Sequence, residues 1–150
     1  MTAPTDLAPH LPVAHLLRQD ESSLSLLGSQ CRECGEVYFP KAVSCTACCC
    51  TELASFDIGN KGHLWSWTVQ AFMPKSPYNS GEREGDFQPY GVGYVEMPSG
   101  VKVESRLTTA DPAELAIGMP MSLCLVRYGQ QADGRALHTF AFTPVTTGAL

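Results

Sequence analysis

Apolar and polar residues alternate along the second half of the chain with the two-residue period of strands that bury one face. In residues 64–72, Trp65, Trp67, Val69 and Ala71 fall on one side. Residues 90–97 read as a second strand. Pro98, Ser99 and Gly100 then make a tight turn, and residues 101–107 return as its hairpin partner. There Val101, Val103 and Leu107 alternate with Lys102, Glu104 and Arg106. Residues 119–128 and 135–144 supply two more strands around a polar turn at 129–134. Before them, Asp111 can cap a single helical turn, with Pro112 at its first position. Five strands with a short helical element before the fourth predict a small barrel of the OB type. A small β-sandwich is the rival arrangement.

The first third of the chain has a different texture. Pro4, Pro9 and Pro12 mark residues 1–12 as an extended or mobile tail. The run VAHLLRQD, residues 13–20, predicts a short helix with Leu16 and Leu17 as its apolar face. So small a face gives little stability alone, so the helix reads as a docking segment. Leu24, Leu26 and Leu27 lead as a strand toward the first cysteine pair, and residues 37–40 form a short β-prone run ended by proline. Residues 73–89, rich in proline, glycine and charge, form a long loop, a place where function often sits. The expected organisation is a tail and docking helix over 1–28, a zinc ribbon over 29–55 and the barrel over 56–147, mainly β throughout.

The chemistry is concentrated in cysteine. Of seven cysteines, six lie between residues 31 and 50. The odd number and the absence of a basic-then-apolar leader argue against a secreted disulfide framework and for a cytoplasmic metal-binding protein. Cys31-x-x-Cys34, ten further residues and Cys45-x-x-Cys48 make two turns, each pointing two sulfurs inward. Such turns enclose a tetrahedral ion at metal–sulfur distances of about 2.3 Å. Soft thiolates select zinc or iron. Four protein ligands leave no open position for substrate, so the site reads as structural, one zinc ion held by Cys31, Cys34, Cys45 and Cys48. Gly35 follows the first pair, where such a turn favours positive φ; Cys49 stands at the matching place after the second. A Cys45/Cys49 pairing is the less regular alternative. Cys49 and Cys50 otherwise read as spare thiols, and Cys124 as a small core residue.

Charge narrows the function classes. The formal net charge is −5, and a zinc ion on four thiolates makes it more negative still. The ten basic residues are scattered, with no two adjacent, which argues against nucleic acid. No apolar run approaches the roughly 20 residues of a membrane span. His10, His15, His63 and His138 are dispersed without partners at a telling spacing, and no nucleophile-elbow or phosphate-loop motif occurs. The chain offers no self-contained active site. Trp65 and Trp67 read first as core, and second as a stacking platform.

The strings CRECGEVYFPKAVSCTAC, GHLWSWTV, PYGVGYVEMPSGVKVESRL, IGMPMSLCL and HTFAFTPV together resemble the DUF35 family of zinc-ribbon and OB-fold proteins associated with acyl-CoA metabolism. The resemblance covers residues 28–145. It implies a hetero-oligomer in which a thiolase-fold partner carries the nucleophilic cysteine. The small subunit would then stabilise the complex and shape the CoA or acyl channel without itself being catalytic. The family's zinc ligands fall on Cys31, Cys34, Cys45 and Cys48. Under that reading Lys61, Lys75, Arg83 and Arg106 are candidates for meeting coenzyme A phosphates. A single-stranded nucleic-acid module using Trp65 and Trp67, and a rubredoxin-like electron carrier, are the competing readings.

Overall fold

The computed structural model describes residues 9–78 and 80–146. The expected mobility of the proline-rich tail falls mostly on residues 1–8, outside the described residues. At its end, His10 lies beside Leu137 in an isolated parallel bridge, exchanging backbone hydrogen bonds with Ala136 and His138 at 2.9 Å.

Two sheets make the fold. The first combines β1 (Leu17–Gln19), β2 (Leu24–Cys31), β3 (Val37–Tyr38) and β4 (Leu53–Gly59), with β2 pairing antiparallel to all the others. The second is a closed barrel of β5 (Lys61–Gln70), β6 (Tyr90–Glu96), β7 (Lys102–Leu107), β8 (Pro120–Gln130) and β9 (Ala136–Pro144), in the order β5-β6-β7-β9-β8. The β7–β9 pairing is parallel and the others antiparallel. Closure through β5 and β8 settles the choice between barrel and sandwich. It also leaves the barrel no free edge strand.

The barrel interior follows the alternation of its strands. Leu64, Val95, Val103, Met121 and Phe142 point inward and are almost wholly buried. Leu115, from the turn after Asp111, joins the same core. Asp111 caps that turn, its Oδ1 accepting the Ala113 N–H at 2.9 Å. The first sheet is not a separate body: Leu17, Leu26 and Ile58 belong to one apolar cluster with the barrel residues. The Phe39 ring meets Phe140 edge-on at 6.1 Å. Asn60 ties the sheets where one passes into the other. Its side-chain amide donates to the Leu24 carbonyl at 3.0 Å, and its own carbonyl accepts the Leu123 N–H at 2.8 Å.

Two expectations need correction. Residues 13–20 do not form a helix. A single 3-10 turn at Ala14–Leu16 runs straight into β1, and Leu17 pairs with Leu26. Eight residues nucleate a helix poorly, whereas the edge of β2 offers ready backbone partners and a place to bury Leu17. Trp65 and Trp67 do not share a face. Leu64 opposes Val95 and Trp67 opposes Gly93, but Ser66 opposes Tyr94, so β5 carries one extra residue at Trp65. Trp65 stays outward in step with Lys61 and His63, 51% exposed, and the β-bulge swings Trp67 to the other side, where it packs against the core. The shared stacking platform therefore does not exist.

No helix among the described residues is long and apolar enough to cross a membrane.

Candidate metal centre

Two short turns of the first sheet carry the cysteines. β2 ends at Cys31, and the chain folds back so that Gly35 N–H donates to Cys31 O at 3.0 Å. Cys31 N–H donates to Glu36 O at 2.8 Å. The second turn repeats both bonds: Cys49 N–H to Cys45 O at 2.9 Å, and Cys45 N–H to Cys50 O at 2.8 Å. The turns are conformational copies, and Cys49 occupies the place of Gly35. Their φ angles, +64° and +80°, agree with this. Cys49 is thus the turn residue rather than part of the sulfur cluster, which removes the Cys45/Cys49 alternative.

The Sγ atoms of Cys31, Cys34, Cys45 and Cys48 all lie within 4.8 Å of one another. The cross-turn pairs Cys31–Cys48 and Cys34–Cys45 are each 3.5 Å apart. A tetrahedron with zinc–sulfur bonds of about 2.3 Å has edges of about 3.8 Å, so the donor set fits zinc with little movement. Cys31 and Cys45 are 2% exposed and face the sheet, while Cys34 and Cys48 lie at the surface.

Tyr38 supports the second turn from β3. Its hydroxyl lies 3.2 Å from Cys45 Sγ and accepts the Thr46 N–H at 3.0 Å. That hydroxyl is the main reason the Cys45 thiol is drawn down to about 6. A hydrogen bond to the charged form favours thiolate, the form that binds metal. In the sequence Tyr38 stands out only as part of a β-prone run; a tyrosine between two cysteine turns is the available signal. Cys124, half-buried on β8, has its thiol pushed up by burial, as suits a packing residue.

The basic residues proposed for coenzyme A phosphates are dispersed. Lys61 lines an outer groove of the barrel, and Arg106 lies over the Tyr90 ring at 3.9 Å beside a different, polar cavity. Lys75 and Arg83 stand exposed on the segment between β5 and β6. Among the described residues, the groove at Lys61 and the cavity at Arg106 each hold one of the four. Arg127, which the sequence did not single out, shares the polar cavity with Arg106.

Comparison with known proteins agrees with this architecture. Residues 19–48 match the family model of the ChsH2 rubredoxin-like zinc ribbon domain, and residues 57–126 that of the ChsH2 C-terminal OB-fold domain. A DUF35 domain-containing scaffold protein of Methanothermobacter thermautotrophicus is 29% identical over 81% of this chain and 88% of its own. The benzoylsuccinyl-CoA thiolase subunit BbsA of Thauera aromatica is 27% identical over 62% of this chain and 63% of its own. Among solved structures, an Ltp2-ChsH2(DUF35) aldolase chain superposes with a TM-score of 0.58 at 23% identity, over 81% of this chain and 86% of that one, and so shares the fold. A zinc ribbon and a five-stranded OB barrel in this order, with relatives of the same build over most of their length, mean that the chain belongs to the DUF35 family.

Proposed function

We propose that this protein is a non-catalytic, zinc-stapled subunit of a thiolase-type complex acting on acyl-CoA, by thiolysis, retro-aldol cleavage or acyl transfer. It stabilises a catalytic partner of thiolase fold and shapes that partner's CoA or acyl channel. The observation that carries the reading is the closed four-sulfur centre fused to a continuous core. All four donors come from the chain, so a bound zinc supplies folding free energy rather than a reactive position. The centre fixes β2 and β4, and through Leu26 and Ile58 it fixes their packing on the barrel. That is the construction of a rigid docking body. The relatives named as a scaffold protein and as a thiolase subunit support the same class of role.

When bound, zinc would join the two cysteine turns through Cys31, Cys34, Cys45 and Cys48. Tyr38 would hold the Cys45 sulfur in its thiolate form. Lys61, Lys75, Arg83 and Arg106 are the side chains proposed to meet CoA phosphates. Because they are dispersed, each would complete a site on the partner rather than form one here.

The test is affinity purification of the tagged protein from its native host, followed by identification of stoichiometric partners. A thiolase-fold protein that stays bound, and whose thiolysis, aldol or transfer activity falls when this subunit is removed, is the expected result. Recovery of the protein alone, or activity unchanged by its removal, would refute the proposal.

A further inference from the structure

The bulge in β5 has a consequence on the outer face of the barrel. A bulge re-aims a side chain at the expense of regular ladder pairing, and bulges are over-represented at sheet edges, at barrel rims and next to active sites. Here the bulge swings Trp67 inward and leaves Trp65, a large indole, half in solvent on the outer face. It is not loose. Its ring meets Tyr94, itself 39% exposed, edge-on at 6.2 Å. The Lys102 ammonium lies 4.9 Å from the ring centroid and 3.5 Å from a Glu96 carboxylate oxygen. The indole is therefore held in a fixed orientation, and little side-chain entropy remains to be lost on contact with a partner.

Glu96 also belongs to the wall of a groove beside this aromatic pair. The groove encloses about 820 Å³, with Met97, Pro98, Pro120 and Pro144 supplying apolar walls and Lys61 and His63 on the β5 side. An aromatic knob and an apolar socket thus share one surface. Lys61, His63 and Glu96 line the groove, and Lys102 and Glu104 stand on β7 opposite Glu96 and Tyr94. Glu96 is taken by Lys102, whereas among the described residues no carboxylate lies within 4.0 Å of Lys61. In a chain of net charge −5, the Lys61 end of the groove is locally positive. The occupant that complements it is apolar with a carboxylate at one edge.

We infer that this surface is the docking site for the catalytic subunit. Trp65 and Tyr94 enter an apolar recess of the partner. The groove receives an apolar partner side chain whose neighbouring carboxylate meets Lys61. Well-packed aromatic anchors next to a charged rim are the usual energetic centre of a protein interface. The inference rests on the accessory-subunit reading. An oligonucleotide is the less favoured occupant, because the chain carries a net charge of −5 and Lys102 is already engaged by Glu96.

The experiment compares binding of the catalytic subunit recovered with the wild-type chain. Trp65→Ala is expected to weaken that binding about thirtyfold or more, mainly through faster dissociation. Lys61→Glu is expected to weaken it less, with a loss that shrinks as salt is raised. Tyr94→Ala serves as the second aromatic variant, and zinc content and melting temperature verify that each variant folds. If the wild type holds its partner and the folded Trp65, Tyr94 and Lys61 variants bind within twofold of it, the docking inference fails while the accessory-subunit reading stands. If the wild type holds no such partner, the accessory-subunit reading fails first. Tight oligonucleotide binding abolished by Trp65→Ala would also overturn the inference, in favour of a nucleic-acid surface.

Discussion

The Tyr38 hydroxyl lies 3.2 Å from Cys45 Sγ, so a side chain from β3 reaches across to a metal-binding position on the second cysteine turn. The same oxygen accepts the Thr46 N–H at 3.0 Å, holding the turn backbone as well as the sulfur. Groups of this kind orient a ligand and tune its basicity, and their loss typically weakens metal binding about 10- to 100-fold. Tyr38→Phe keeps the ring and removes both contacts. It is expected to fold with zinc bound but to release the metal to a competing chelator at about tenfold lower chelator concentration. Unchanged competition would mean that the hydroxyl only fills space.

Metal identity and register form a second prediction. The purified protein is expected to be colourless, with one zinc per chain by elemental analysis; a red protein containing iron would support the electron-carrier reading instead. Cys45→Ser should lose the metal. Cys31 closes the β2–β4 ladder against Leu53, so amide protection should fall first at the metal end of that ladder. The barrel, with its own core around Phe142, Met121 and Val103, should keep most of its protection. Equal loss in both regions would show that the barrel depends on the metal too.

Much of this was legible in the chain. The four-sulfur cluster could be read because C-x-x-C spacing is a local constraint, written in neighbouring residues. The barrel could be read because Val95, Val103 and Met121 keep strict alternation with outward neighbours. What could not be read depended on distant partners. Leu16 and Leu17 look helical until the edge of β2 is present to pair with β1. Trp65 and Trp67 share a face only while β5 is assumed regular, and the bulge that separates them is visible only against Val95, Tyr94 and Gly93 on β6. Tyr38 became part of the metal centre only once the second turn folded back onto β3.

Thiol reactivity separates the cysteines outside the cluster. Cys49 is exposed and its sulfur lies outside the metal cluster, whereas Cys124 is half-buried with its thiol pushed up by burial. The thiolate is the reactive form, so alkylation of the zinc-loaded protein at neutral pH should mark Cys49 well before Cys124. The four ligands should react only after chelation. Mass spectrometry of timed digests gives the order, and early modification of Cys124 would show that β8 opens readily.

Gly28 faces a tight seam in the first sheet. A Cβ built there would lie 2.2 Å from the Tyr38 carbonyl oxygen and 2.8 Å from Ile58 Cδ1. The oxygen belongs to the backbone, so it yields only if β3 shifts away from β2. Gly28→Ala is expected to cost about 2–3 kcal/mol, at the upper end for an added methyl group in a packed interior. Because β3 carries Tyr38, it should weaken zinc retention as well. Denaturant titration with a parallel chelator competition measures both; a stability loss without any change in metal affinity would uncouple the seam from the centre.

Cys49 supplies the opposite case, a position where the natural residue is the strained one. Its φ of +64° lies in the left-handed region, which costs a residue with a Cβ about 1–2 kcal/mol relative to glycine. Gly35 takes the matching place in the first turn at +80° without that cost. Glycine also gives the unfolded chain more freedom, which offsets about 0.4–1 kcal/mol of the relief. Cys49→Gly is therefore expected to stabilise the zinc-loaded protein by about 0.5–1 kcal/mol and to leave one zinc per chain. Chemical denaturation at fixed zinc concentration measures the first and elemental analysis the second. Loss of zinc in this variant would return Cys49 to the ligand set and undo the equivalence of the two turns.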